Sequence, residues 1–171
     1  MLSSKKPTIF NPSKSHRIFF LAEILQPYYG SHPQHHFQEL ETFETAILGN
    51  ECLRKLYDLT IENLNMHNYS DAIFYCDKLL TLANNHIGCV YLMGECYFRN
   101  NDFKKVHSLF QTQKVLGHNI SFQLLAAKSL YLNKQFDQCL SVLELHLDNT
   151  FINNKMESSK SFIKGQCHEA Q

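Results

Sequence analysis

Proline is missing from residue 34 to the end of this 171-residue chain; all four prolines, Pro7, Pro12, Pro27 and Pro33, lie before that point. Glycine is also scarce, with six in all. A proline inside a helix removes a hydrogen bond and clashes with the preceding turn, so this stretch leaves room for a run of unbroken helices. Neither sign of charge is in excess, since 16 Lys and Arg balance 16 Asp and Glu. That balance counts against a broad nucleic-acid surface and against an acidic-membrane surface, both of which need clustered Lys and Arg. The apolar run Ile18 to Leu25 contains Glu23 and is far too short to span a bilayer. The sequence has no Gly-rich phosphate loop and no nucleophile-elbow spacing, so it is expected to be neither an enzyme nor a cofactor protein. Six cysteines without a secretory signal point to a reducing compartment. Hydrophobic residues make up 44% and charged residues 19%, enough apolar material for a folded core.

What the chain does have is a repeat. An aromatic stands at Tyr69, Phe103 and Phe136, 34 and then 33 residues apart. Three residues after each come Ala72, Val106 and Cys139, and four further on Cys76, Phe110 and Leu143. Self-similarity at about 34 residues marks tetratricopeptide (TPR) units, each a helix–turn–helix. The middle unit is the clearest, with Val90 at the first large apolar place, Met93-Gly94 at the Leu-Gly pair and Tyr97 at the following aromatic. Gly94 is expected to let the two helices of a hairpin approach closely. Asn100-Asn101-Asp102 reads as the turn, because short polar side chains bond their own backbone there. The equivalent turns are Met66-His67-Asn68 and Asn133-Lys134-Gln135, and the pair is Leu59-Thr60 in the first unit and Ala126-Ala127 in the third. A further unit begins at Phe162-Ile163-Lys164-Gly165.

The expected fold is therefore all-α: six or seven TPR helices stacked right-handedly into an α-solenoid. Residues 1–50 are an N-terminal extension with a polar start, a short helix at His16 to Leu25, a loop at Tyr28 to His36 and an amphipathic helix at Phe37 to Leu48. Residues 51–147 hold the repeats, and 148–171 a linker and the first helix of the further unit. His32, His35 and His36 are a weak metal candidate without a carboxylate or Cys at binding spacing, and no metal is expected. Cys89 and Cys96 lie two helical turns apart without a C-x-x-C pair. Cys76, Cys96, Cys139 and Cys167 fall at inward places and read as small apolar filler.

In TPR arrays the first helix of each unit lines a groove. With Gly94 at place 8, places 5, 9 and 12 are Tyr57, Ile61 and Leu64, then Tyr91, Glu95 and Phe98, then Leu124, Lys128 and Tyr131. Phe162 continues the row. So apolar a face usually marks a binding surface, with helix-in-groove docking as its mode. Tyr91 and Phe98 are expected to point away from the inter-repeat core, so that Glu at both would separate a groove-mediated homodimer without unfolding it. The other occupant considered for the groove is the helix at Phe37 to Leu48, folded back.

The segment Tyr69-Ser70-Asp71-Ala72-Ile73-Phe74-Tyr75-Cys76-Asp77-Lys78 resembles the Y-x-x-A-x-F-x-x-(D/E)-K stretch of the subunit 6 family of the anaphase-promoting complex. Tyr91 to Tyr97, Leu124 to Leu130 and Ser158 to Ala170 are similar to later stretches of that family, in the same order. The likeness covers residues 52–170. It departs at Leu92-Met93, where the family has Trp-Leu, and the first 51 residues match nothing in it. The resemblance implies a non-catalytic scaffold of a ubiquitin ligase in cell-cycle control, in nucleus and cytoplasm. It also implies protein partners within that complex and a homodimer in which each groove clasps the partner's helices. Because only the family's N-terminal repeats are covered, the chain is expected to be a fragment, a truncated isoform or a short gene model lacking accessory-subunit binding. The competing reading is a generic TPR adaptor or co-chaperone gripping an acidic C-terminal peptide. Such a clamp needs Lys at place 5 and Asn at place 9 of the first unit, where this chain has Tyr57 and Ile61.

Overall fold

The computed structural model describes residues 47, 49–118, 120–147 and 154–170. Among them are α-helices and no strand: α1 (Glu51–Asn65), α2 (Tyr69–Leu82), α3 (Ile87–Arg99), α4 (Phe103–Thr112), α5 (Ile120–Leu132), α6 (Phe136–Leu143) and α7 (Asn154–Ala170). No helix among these residues is long and apolar enough to cross a membrane. The helices expected at His16 to Leu25 and Phe37 to Leu48, the loop at Tyr28 to His36 and the histidine cluster lie outside the described residues, apart from Ile47, which is buried.

The helices pair as three hairpins, α1–α2, α3–α4 and α5–α6, each packed on the next, while α3 also meets α5 and α5 meets α7. This is a helical-repeat solenoid of TPR type. The repeated helix-B places are all fully buried: Ala72, Cys76, Val106, Phe110, Cys139 and Leu143 are each 0% exposed. One helix is buried nearly all round. In α5 every side chain from Ile120 to Ala127 is buried, and Lys128 alone of its first ten residues is exposed. Within it, Gln123 Nε2 donates to the carbonyls of Val142 at 2.8 Å and Leu145 at 3.1 Å, tying α5 to the end of α6.

The turns fall where the polar triplets predicted them. Each ends its helix with a residue in the left-handed region: His67 at φ 58°, Asn101 at 61° and Lys134 at 59°. The amide after each reaches back to a carbonyl five residues earlier. Asn68 bonds Asn63 at 2.8 Å, Asp102 bonds Tyr97 at 2.9 Å and Gln135 bonds Leu130 at 2.9 Å. The left-handed residue's own amide bonds Leu64, Phe98 or Tyr131. These are the two bonds of the Schellman motif, which absorb carbonyls that a helix end leaves without partners. The connections between hairpins close similarly, with Asn84, Asn85 and Lys114 also at positive φ. None of these six residues is glycine, the usual occupant.

Place 8 is the point of closest approach. Thr60 and Ala127 are 0% exposed there, and Gly94 is buried. A Cβ on Gly94 would come within 2.6 Å of Phe110 Cε1 and closer still to Cζ, with Leu125 Cδ2 at 3.5 Å. Glycine is required here to admit the ring. At Gly165, in the further unit, no such approach occurs: a Cβ there would meet nothing within 4 Å.

Two outcomes follow for urea unfolding. Gly94→Ala should destabilise by about 1–3 kcal/mol through overpacking, and combining it with Phe110→Leu should cost less than the sum of the two single changes, since leucine vacates the contested space. A strictly additive double variant would show that no contact limits this position. Lys134→Gly should stabilise. The left-handed conformation costs a residue with a Cβ about 1–2 kcal/mol, while glycine's extra freedom in the unfolded chain returns about 0.5–1 kcal/mol. A lower unfolding midpoint for Lys134→Gly would contradict this account.

Candidate protein-binding groove

The row at places 5, 9 and 12 does not form one exposed face. Tyr57, Leu64, Tyr91 and Leu124 are buried, at 3%, 1%, 3% and 2% exposure. Ile61, Glu95, Phe98 and Tyr131 are half-buried, and Lys128 is exposed. The expectation that Tyr57, Leu64, Tyr91 and Leu124 are offered to a partner is therefore corrected: they belong to the core of the chain itself.

The reason is clearest at Tyr91. Its ring lies nearly parallel to Phe110, with centroids 6.5 Å apart and 11° between planes, and edge-to-face with Phe122 at 5.2 Å. Phe110 and Phe122 are themselves 4.8 Å apart at 78°. Phe122 comes from the following hairpin, so these three rings join two repeats. Tyr91→Glu would place a carboxylate among them, and the expected separation of a dimer without unfolding is overturned at this position. Tyr57 is similarly enclosed, and burial drives its phenol well above the ordinary tyrosine range.

The place-12 aromatics rest on their own hairpins. Phe98 packs edge-on against Phe103 at 5.6 Å, and Tyr131 lies tilted against Phe136 at 5.7 Å. Each is thus braced by the first residue of the next helix, and only part of each ring meets solvent. What remains of the groove is Ile61, Glu95, Phe98, Lys128 and Tyr131, with Phe162 on α7 exposed at 65%.

Sequence reasoning missed Phe122 and Arg99. Phe122 was legible in principle: the unbroken run Ile120 to Ala127 leaves α5 no polar side for water, and a helix apolar all round is interior. Arg99 lies one turn after Glu95, with its Nε 3.7 Å from Glu95 Oε2.

Among the described residues no three His, Cys, Asp or Glu side chains are gathered to hold a metal ion. The thiols expected as filler, Cys76, Cys96, Cys139 and Cys167, are each 0% exposed. Cys89 is also at 0%, and burial pushes it up to about 12, so it stays protonated and a poor nucleophile.

A family model described as "Anaphase-promoting complex, cyclosome, subunit 3" matches residues 65–146. Anaphase-promoting complex subunit 6 of Arabidopsis thaliana is 30% identical over 96 residues, which is 56% of this chain and 18% of that protein. Anaphase-promoting complex subunit CDC16 of Saccharomyces cerevisiae is 26% identical over 133 residues, 63% of this chain and 16% of that protein. The chain thus spans less than a fifth of the length of these curated relatives. No solved structure matches it. The chain carries a TPR region similar to that of the complex's subunit 6.

Glu95 is the charged group most enclosed by this face, with 13% of its side chain exposed. Burial raises its carboxyl above the ordinary value of 4.5; Arg99, the Tyr91 hydroxyl and Lys128 oppose that rise without cancelling it. The Tyr91 hydroxyl donates to Glu95 Oε1 at 3.4 Å. A carboxyl whose folded pKa lies above its unfolded one holds its proton preferentially in the native state. Between the two values stability falls as pH rises, and the contribution is fully present only below the unfolded pKa. Glu95→Gln removes that titration. Between about pH 4 and about pH 7 the stability difference between the two proteins should move in favour of the Gln variant. Urea unfolding at both pH values reads this directly, and a difference that does not change with pH would contradict it.

Proposed function

We propose that this chain is a non-catalytic scaffold segment of an anaphase-promoting-complex assembly, supporting ubiquitin transfer in cell-cycle control within nucleus and cytoplasm. The observation carrying this reading is a coincidence of boundaries. The stretch similar to the complex's repeat subunits runs over residues 65–146, and α2 to α6 with their buried places occupy that same stretch. A solenoid of hairpins offers extended surface to other proteins. Against the adaptor reading, place 5 of the first hairpin is the buried Tyr57, and place 9 is Ile61, which has no charge or amide for an acidic peptide.

Self-association through the concave side is part of this proposal, and it has to use the residues left accessible there. Those are Ile61, Phe98, Tyr131 and Phe162, beside Arg99 and Lys128. Aromatic residues with an arginine among them match the composition of interface centres.

Affinity purification of the tagged chain with mass spectrometry should recover anaphase-promoting-complex subunits. Recovery of chaperones in their place would overturn the scaffold reading in favour of an adaptor. Sedimentation velocity should show dimer at about tens of micromolar, the range of a weak complex, and Phe162→Glu should lower the dimer fraction while leaving the unfolding midpoint in place. Monomer alone at that concentration would refute self-association.

A further inference from the structure

α7 is held to the array by a short seam. Of its side chains from Glu157 to Ala170 only Ile163 and Cys167 are buried, at 4% and 0% exposure, one helical turn apart. They face α5 and α6, the helices against which α7 packs. Beyond the seam, Lys164 approaches Glu144 at 3.8 Å, with side chains 35% and 70% exposed, an ion pair of little weight. Open space surrounds Gly165. Few buried contacts and an exposed outer face put α7 among the first elements to open locally.

At the end of the seam two thiols meet. Cys167 Sγ lies 3.3 Å from Cys139 Sγ on α6, and both cysteines are free and buried. Burial first, and then the neighbouring Cys167, push Cys139 up to about 12. While α7 is docked both sulfurs are buried and shielded from reagents. When α7 lifts, both sulfurs meet solvent together, and redocking returns them to contact. A disulfide requires the sulfurs to close by only about 1.3 Å from that contact.

We propose that Cys139 and Cys167 form a modification site: a dithiol that a small-molecule disulfide, such as glutathione disulfide, converts to an intramolecular disulfide stapling α7 onto α6. In the first step the thiolate of one cysteine attacks a sulfur of glutathione disulfide. A mixed disulfide forms and one glutathione thiolate leaves. In the second step the other cysteine's thiolate attacks the protein sulfur of the mixed disulfide and expels the second glutathione. The two cysteines lose two electrons and two protons; glutathione disulfide gains both and becomes two thiols. Cys76, Cys89 and Cys96, each fully buried on α2 and α3 in the middle of the array, have no comparably loose helix to admit the reagent. Cys52 is exposed at the start of α1 and reports ordinary single-thiol reaction.

The test uses the full chain carrying Cys52→Ser, incubated with glutathione disulfide, then denatured, alkylated and digested without reductant. The expected product is a cross-linked peptide pair containing Cys139 and Cys167, cleaved by dithiothreitol, together with slower amide hydrogen exchange across α7. In Cys167→Ser, which keeps a small side chain at the seam, Cys139 should carry only glutathione and α7 exchange should not slow. Recovery of both cysteines alkylated would overturn the proposal. So would a persistent glutathione adduct on either cysteine with no cross-link in the parent chain.

Discussion

The ring of Phe110 sits where a side chain on residue 94 would have to be, and the middle of the array is arranged around that occupancy. With no Cβ at Gly94, α4 can bring Phe110 against the backbone of α3. The same ring then stacks on Tyr91 and meets Phe122 edge-on, so a contact internal to one hairpin also joins it to the next. Interiors are packed as densely as organic crystals, and a ring enclosed on several sides does not yield to an added methyl at small cost. The other hairpins solve the same crossing with different residues, Thr60 in the first and Ala127 in the third. Among the described residues only the middle one combines a glycine with an aromatic, and there Tyr91, Phe110 and Phe122 form a three-ring cluster.

That arrangement changes what the concave side is. Tyrosines on the first helix of a repeat read, one unit at a time, as a surface waiting for a partner. Once the units stack, Tyr91 is claimed by Phe122 of the following hairpin, and the aromatics Phe98 and Tyr131 are braced by Phe103 and Phe136. The concave side is narrower and more polar than the row of side chains suggests. It has a largely enclosed carboxylate at Glu95 and cations at Arg99 and Lys128 around partly covered rings.

The fold was legible because its signals are local or periodic. The spacing of Tyr69, Phe103 and Phe136 marked the second helices, the polar triplets marked the turns, and the places counted from them proved to be the fully buried ones. The site was less legible because its residues are allotted by contacts between units. Whether Tyr91 faces water depends on Phe122, which is 31 positions away and belongs to another helix. Helical period says which residues share a side and is silent about what leans on that side. The contact between Cys139 and Cys167 was hidden for the same reason. Both were placed as buried filler, but their meeting depends on how α7 returns across a connection whose residues carry no pattern.

The absence of glycine from the left-handed turn positions bears on cooperativity. Histidine and lysine at His67, Lys114 and Lys134 do not favour that backbone conformation on their own, so the chain has weak local instruction to reverse there. The reversals are held because the helices on either side are already packed. A hairpin taken alone would lack that support; packing of each hairpin on the next supplies it, through the rings of Tyr91, Phe110 and Phe122 between the second and third. Linear arrays can unfold piece by piece when each unit is self-sufficient. Here the units depend on one another for the shape of their own turns, which favours melting of α1 to α6 in a single concerted step.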